Sequence, residues 1–330
     1  MPCLSTSPIR ISRLRAVTAG LLVLCAACGD DSADPSSPSD PTVTTAAPID
    51  LDVAAVLDTR SSRPGIVFGS SNMLNNYLNN VHTGWLAGGP LDPSNILSHL
   101  SGARAKGGRV VIKLCKGRDS YVKNADGTFS LTKWKSLVSR YRNVKLSPYI
   151  SDGTIIGHYL IDEPHRASRW GGKVISQATL EAMAKYSKQL WPQMTTMVRV
   201  VPSWLASKPV TYRYLDAGWL QYAAGKGDAA KLVAAEVAAA KRKGLGLAVG
   251  MNVLDGGNGS SGIRGTKSGK WAMSATELRK YGSALLSPSY PCAFFNWQYD
   301  TGYYGRSAIK SALADLSAKA RSHAKTSCRQ

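Results

Sequence analysis

Short apolar runs alternate with helix-like stretches eight times between residues 65 and 330. The expected strands are Gly65–Ser70, Val81–Ala87, Arg109–Cys115, Ile155–Asp162, Thr195–Val201, Gly218–Ala223, Leu245–Val253 and Cys292–Tyr299. Strands separated by helical segments pair in parallel, and eight of them is the number that closes a (β/α)8, or TIM, barrel. Helix ends are marked by their chemistry. Asp228 precedes an Ala-rich stretch that Gly244 follows, and Ser274-x-x-Glu277 is a capping box whose helix stops before Pro288. The helix after strand five is expected to be short. A doubly wound open sheet would carry a Gly-rich phosphate turn after its first strand, and Gly69-Ser70-Ser71-Asn72 is not one.

Period two within the strands sorts the side chains into faces. In strand seven Gly246, Ala248, Gly250 and Asn252 fall on one face, opposite Leu247, Val249 and Met251. Strand eight separates Asn296, Gln298 and Asp300 from Phe295, Trp297 and Tyr299, and strand four places His158 with Asp162. With Arg199 and Gln221 from strands five and six, this predicts a polar cluster near the upper end of the pore. A barrel with no binding role would fill those layers with branched aliphatics.

Ahead of the barrel the pattern changes. Arg10, Arg13 and Arg15 precede the apolar run from Val17 to Ala27, too short to span a bilayer and typical of a signal peptide. Its end, Leu24-Cys25-Ala26-Ala27-Cys28-Gly29, resembles the bacterial lipoprotein box, with Cys25 where an aliphatic residue is usual. The resemblance implies cleavage after residue 27, acylation of Cys28 and residence in a bacterial cell envelope; plain secretion is the alternative. Residues 28–58 are rich in Asp, Ser, Pro and Thr, a composition that reads as a disordered tether. The single barrel domain is then 59–330.

The chain holds 41 Lys plus Arg against 21 Asp plus Glu, a formal charge of +20. The excess is larger over the barrel, because Asp30, Asp31, Asp34, Asp40, Asp50, Asp52 and Asp58 all precede it. Such a field attracts anionic glycans or lipid head groups as well as nucleic acid. No base-reading motif is present, so no nucleic-acid partner is expected.

The sharpest local signal is Gly157-His158-Tyr159-Leu160-Ile161-Asp162-Glu163-Pro164 at the end of strand four. Proline disfavours the helical region for the residue before it, which predicts an extended Glu163. This acid–proline step resembles the one at the end of strand four in many (β/α)8 glycoside hydrolases. The resemblance implies that Glu163 is the proton donor, with Asp162 in the neighbouring position. Glycosidic cleavage usually takes a second carboxylate. Related retaining enzymes place a Glu at the end of strand seven, whereas this strand ends Met251-Asn252-Val253-Leu254-Asp255; Asp255 and Asp300 are the substitutes expected instead.

The expected sugar-binding residues are His158, Arg199, Gln221, Asn252, Asn296, Trp297, Gln298 and Tyr299, with Trp297 the ring on which a pyranose would stack. Lys116, Arg118, Arg166 and Arg169 would suit an anionic sugar. A shared metal is not expected, because His158 and Asp162 stand roughly 13 Å apart along the strand, and no cofactor is expected either. No Gly-x-Ser-x-Gly turn points to a serine hydrolase. Cys328, after a last helix that returns to the barrel floor, is expected to pair with Cys292, leaving Cys115 as a buried small residue. The expected partner is therefore a carbohydrate, with membrane contact through the N-terminal lipid only. Two readings stand: a glycoside hydrolase, and a glycan-binding lipoprotein without catalysis.

Overall fold

Eight strands, β1 (Val67–Ser71), β2 (Gly84–Leu86), β3 (Arg109–Ile112), β4 (Ile155–Asp162), β5 (Thr196–Arg199), β6 (Ala217–Tyr222), β7 (Gly246–Met251) and β8 (Ala293–Asn296), pair in sequence order. All pairings are parallel, and β8 closes on β1. The computed structural model describes residues 64–89 and 91–329. The expected signal peptide, the acylated Cys28 and the tether lie outside them. The TIM barrel predicted from the alternation is the fold observed, and β4 has the boundaries expected of it.

The helices are α1 (Ile96–Ala105), α2 (Leu131–Ser139), α3 (Ser147–Ser151), α4 (Gln177–Leu190), α5 (Pro202–Leu205), α6 (Ala229–Lys243), α7 (Ala275–Leu285), α8 (Thr301–Tyr304) and α9 (Ser307–Ser322). Their ends follow the sequence signals. Asp228 caps α6 through the Lys231 amide (2.8 Å), Gly244 ends it in the left-handed conformation at φ 61°, and Ser274 and Glu277 form the capping box of α7. As expected, the helix after β5 is a single turn. The connection after β1 is also reduced, to a 3-10 turn at Asn75–Tyr77. Only a dozen residues separate β1 from β2, and Asn79 there takes the amides of Val81 and His82 into a side-chain turn instead of a helix.

Two buried layers follow from the strand periodicity. Leu247, Val249 and Met251 of β7 join the layer between strands and helices. Ala248, with Val67, Val111, Tyr159, Met197, Trp219 and Phe295, fills the barrel. Gly250 is small for a reason: a Cβ there would lie 1.8 Å from the Phe295 carbonyl oxygen. At the floor, Cys292 and Cys328 form the expected disulfide, Cα atoms 5.1 Å apart, while Cys115 is buried and forms no disulfide among the described residues.

Candidate functional site

Parallel strands bring all eight carboxyl ends to one face, where a cavity of about 620 Å³ opens. This lies within the roughly 300–1,000 Å³ typical of small-ligand sites. The ends of β1–β4 and their loops supply most of its wall, including Asn72, Ala87, Lys113, Lys116, Arg118, Tyr121, Tyr159, Asp162 and Arg169, and Trp297 completes it from beyond β8. A recess of about 90 Å³ at the opposite end, around Cys292 and Cys328, has no acid in its wall.

The backbone marks the same place. Asn72, Ala87, Lys116 and Glu163 are the non-glycine residues with positive φ (57°, 50°, 64° and 44°) among those described. One follows each of β1, β2, β3 and β4, and three of them line the cavity. Such conformations cost of order 1–3 kcal/mol each and persist where the surroundings hold them, most often at binding sites. Glu163 therefore departs from the extended conformation expected before Pro164. Its carbonyl accepts from Trp170 Nε1 (3.0 Å) and the Arg166 amide (3.1 Å), so the loop after β4 folds back over it and turns the chain sharply.

Charge is organised around the two acids. Asp162, at the cavity wall, accepts from Tyr159 Oη (2.7 Å) and Arg199 Nε at Oδ1, and from Arg169 Nη1 (2.6 Å) at Oδ2. Burial alone would raise its pKa, but Arg199 and Arg169 outweigh that and hold it below the usual carboxylate range. Glu163 pairs with Arg199 (2.9 Å), Arg166 (3.1 Å) and Arg169 (3.1 Å). Arg169 also grips Asp119 at 2.5 and 3.0 Å, tying the β3 loop to the β4 loop. Arg199 reaches on to Gln221 Oε1 (2.5 Å) and lies over the Trp297 ring at 5.0 Å. Gln221 Nε2 has no protein partner among the described residues.

The expected site residues divide. Asp162, Glu163, Arg199, Gln221 and Trp297 come together as one network. His158 does not. It faces the helices, stacked on Trp134 and bonded to Ser187 Oγ (2.8 Å), and burial lowers its pKa to about 3. The cause is an irregularity in β4: its register against β5 shifts between Tyr159 and Asp162, so Asp162 leaves the parity of His158 and joins Tyr159 inside. In β8 the expected faces are reversed. Phe295 and Trp297 pack with the barrel interior, and fully buried Asn296 accepts from the Met251 amide with Oδ1 (3.3 Å) outside the cavity. The inside at that level is filled by aromatic rings, which period two alone does not reveal.

Four more expected site residues serve local structure. Asp255 accepts from the amides of Thr266 (2.7 Å) and Lys267 (3.1 Å) and from the Thr266 hydroxyl (2.7 Å), stapling the loop after β7. Asp300 caps α8 through the Tyr303 amide (2.7 Å) and borders a different recess beside Arg264 and Arg306. Asn252 Oδ1 accepts from the Asp255 amide (3.2 Å), and Tyr299 packs on Tyr77 and Tyr304. Gln298 accepts from Asn72 Nδ2 (2.8 Å) at the rim. Lys113, Asp119, Tyr121 and Tyr159 were not anticipated. Parity from Arg109 and Val111 would have placed Lys113 inside. No three His, Cys, Asp or Glu side chains among the described residues are grouped to hold a metal ion.

No family model matches the chain, and comparison with curated proteins finds no relative. Solved structures resemble it in fold. A β-glucanase from Saccharophagus degradans superposes with a TM-score of 0.54 at 9% identity, covering 78% of this chain and 88% of that one. A chitinase from Pseudoalteromonas aurantia (TM-score 0.43, 12% identity, 76% and 99% coverage) and a xylanase10C mutant from Cellvibrio japonicus in complex with xylopentaose (0.47, 11%, 83% and 70%) are more distant in shape. The likeness to the β-glucanase is one of architecture, the (β/α)8 barrel.

Proposed function

We propose that the barrel is a glycoside hydrolase acting on a poly- or oligosaccharide, with Glu163 as proton donor and Asp162 as its ionised neighbour. The observation that carries this is the acidic pair at the end of β4, with Asp162 on the wall of a ligand-sized cavity that also presents Trp297. An indole offers its face to a pyranose ring. Cleavage of a glycosidic bond develops oxocarbenium-like positive charge on the sugar. An Asp162 kept ionised by Arg199 and Arg169 stabilises that charge, while Glu163 delivers the proton to the leaving oxygen. Lipid attachment at Cys28 and the tether 28–58 would hold this activity at the cell envelope.

A second reading, glycan binding without hydrolysis, is favoured by one observation. Each oxygen of Asp162 and Glu163 is already held by an arginine, so a proton donor has to leave an ion pair to reach substrate. Neither Asp255 nor Asp300 borders the cavity to serve as a second carboxylate. Release of reducing sugar from neutral and acidic polysaccharides, by the parent chain and by Glu163→Gln, separates the readings. Hydrolysis predicts release by the parent and a loss of at least about 100-fold in the variant with binding retained. No release by the parent from any polymer leaves the binding protein.

A further inference from the structure

The cavity is more positive than its acids require. Two carboxylates stand on its wall, Asp92 and Asp162, and each is paired with an arginine, Arg140 and Arg199; Asp119 and Glu163, next in the chain to wall residues, are likewise paired, with Arg169 and Arg166. Lys113, Lys116 and Arg118 remain, all on the cavity wall and all from the segment that follows β3. Among the described residues none of the three forms an ion pair with a carboxylate. Lys113 Nζ lies 5.8 Å from the centre of the Tyr159 ring and Lys116 Nζ 4.8 Å from that of Tyr121, so two of these charges stand over aromatic rings on the same wall.

We infer that this cavity selects a glycan carrying acidic groups, a uronate or sulfated sugar, over a neutral one. The inference rests on the carbohydrate reading of the same cavity and names its substrate class. An acidic pyranose combines an apolar ring face with a fixed negative charge. The wall offers the matching pair, with Trp297 and Tyr121 as surfaces for rings and Lys113, Lys116 and Arg118 as cations outside any ion pair among the described residues. A neutral ligand would leave three like charges together on one cavity wall, whereas an acidic ligand offsets them as it binds. The left-handed backbone at Lys116, φ 64°, is the local distortion that accompanies this placement and has no counterpart in the basic residues of the outer helices.

The test is equilibrium binding to the full chain carrying Glu163→Gln, by calorimetry. The probes are oligogalacturonate, its fully methyl-esterified form and a sulfated oligosaccharide of similar length. The free acid or the sulfated probe is expected to bind at least about tenfold more tightly than the neutral ester, with the advantage shrinking as salt is raised. Lys116→Ala with Arg118→Ala should remove most of that advantage, and Arg242→Ala with Lys319→Ala, exposed on α6 and α9, should leave it intact. Equal affinity for acid and ester, no binding of any probe, or equal losses in both double variants would overturn the inference. Binding of the acid without its cleavage by the parent sinks the hydrolase reading and keeps this one. Cleavage of a neutral polymer with no preference for the acid does the reverse.

Discussion

The rim over β1–β4 and the rim over β5–β8 are built from similar residue types and solve different problems. In the first half a left-handed non-glycine residue follows each strand, and acids and arginines bridge from one loop to the next: Arg169 joins Asp119, Asp162 and Glu163. In the second half Asp255 and Asp300 are satisfied by amides of their own loops. An acid bound to nearby backbone is shaping a loop. Acids held between elements, beside strained backbone and spare cations, shape a cavity. Among the described residues, the second half contributes Arg199 to the ion-paired network, from the strand that neighbours the acidic pair.

The largest effect should come from cutting that link. Arg199 and Asp162 are both buried, with side chains 8% and 7% exposed, and removal of one partner of a buried pair costs about 3–5 kcal/mol. Arg199→Met is therefore expected to lower unfolding stability by about that amount in urea. The pH dependence sharpens the expectation. A carboxylate held below its ordinary value contributes stability that is present above the unfolded pKa, about 3.9, and lost as pH falls through the lowered folded value. Without Arg199 the burial of Asp162 regains weight, so the acid-side loss should begin at higher pH than in the parent. A stability change below 1 kcal/mol, with an unaltered acid limb, would mean that the network is ornamental.

Asp255→Ala probes the other half. It removes three hydrogen bonds from a partly exposed loop whose amides water can then reach, a loss of about 1–2 kcal/mol. Affinity for any glycan in the cavity should stay within a factor of about two, since Asp255 borders none of it. Calorimetric binding beside urea unfolding checks both parts. A large affinity loss with little change in stability would show that the loop after β7 closes over ligand, and would erase the division between the two halves.

What could be read in the sequence follows the same division. The barrel was legible because apolar runs, caps and the Cys292–Cys328 pair are local patterns with one packing solution. The acidic pair was legible because two adjacent acids before a proline make a poor packing choice. The orientation of β8 was not, because period two separates Asn296 from Trp297 without saying which enters the pore. His158 was misplaced because the register shift in β4 leaves no mark in the letters. Asp119 was missed because its importance comes from Arg169, 50 residues away. The left-handed conformations of Ala87 and Lys116 were invisible for a related reason: neither residue type favours them, and only the assembled rim imposes them.

The smallest effect is the most discriminating, because it predicts opposite signs for one chemical change. Ala87 follows β2 at φ 50° and Ala223 follows β6 at φ −143°. In the left-handed region a Cβ costs roughly 1–2 kcal/mol, so Ala87→Gly relieves more than the roughly 0.5–1 kcal/mol of chain entropy that glycine adds to the unfolded state. A net gain of up to about 1 kcal/mol is expected. Ala223 has no such strain to relieve, and Ala223→Gly should lose about 0.5–1 kcal/mol by the same entropic argument. Paired urea titrations resolve the difference. Losses at both positions would mean that the backbone after β2 is not strained and that the first half of the rim is as relaxed as the second. A gain at Ala87 accompanied by weaker glycan binding would tie the strain to the cavity, since the residue held in that conformation is also part of its wall.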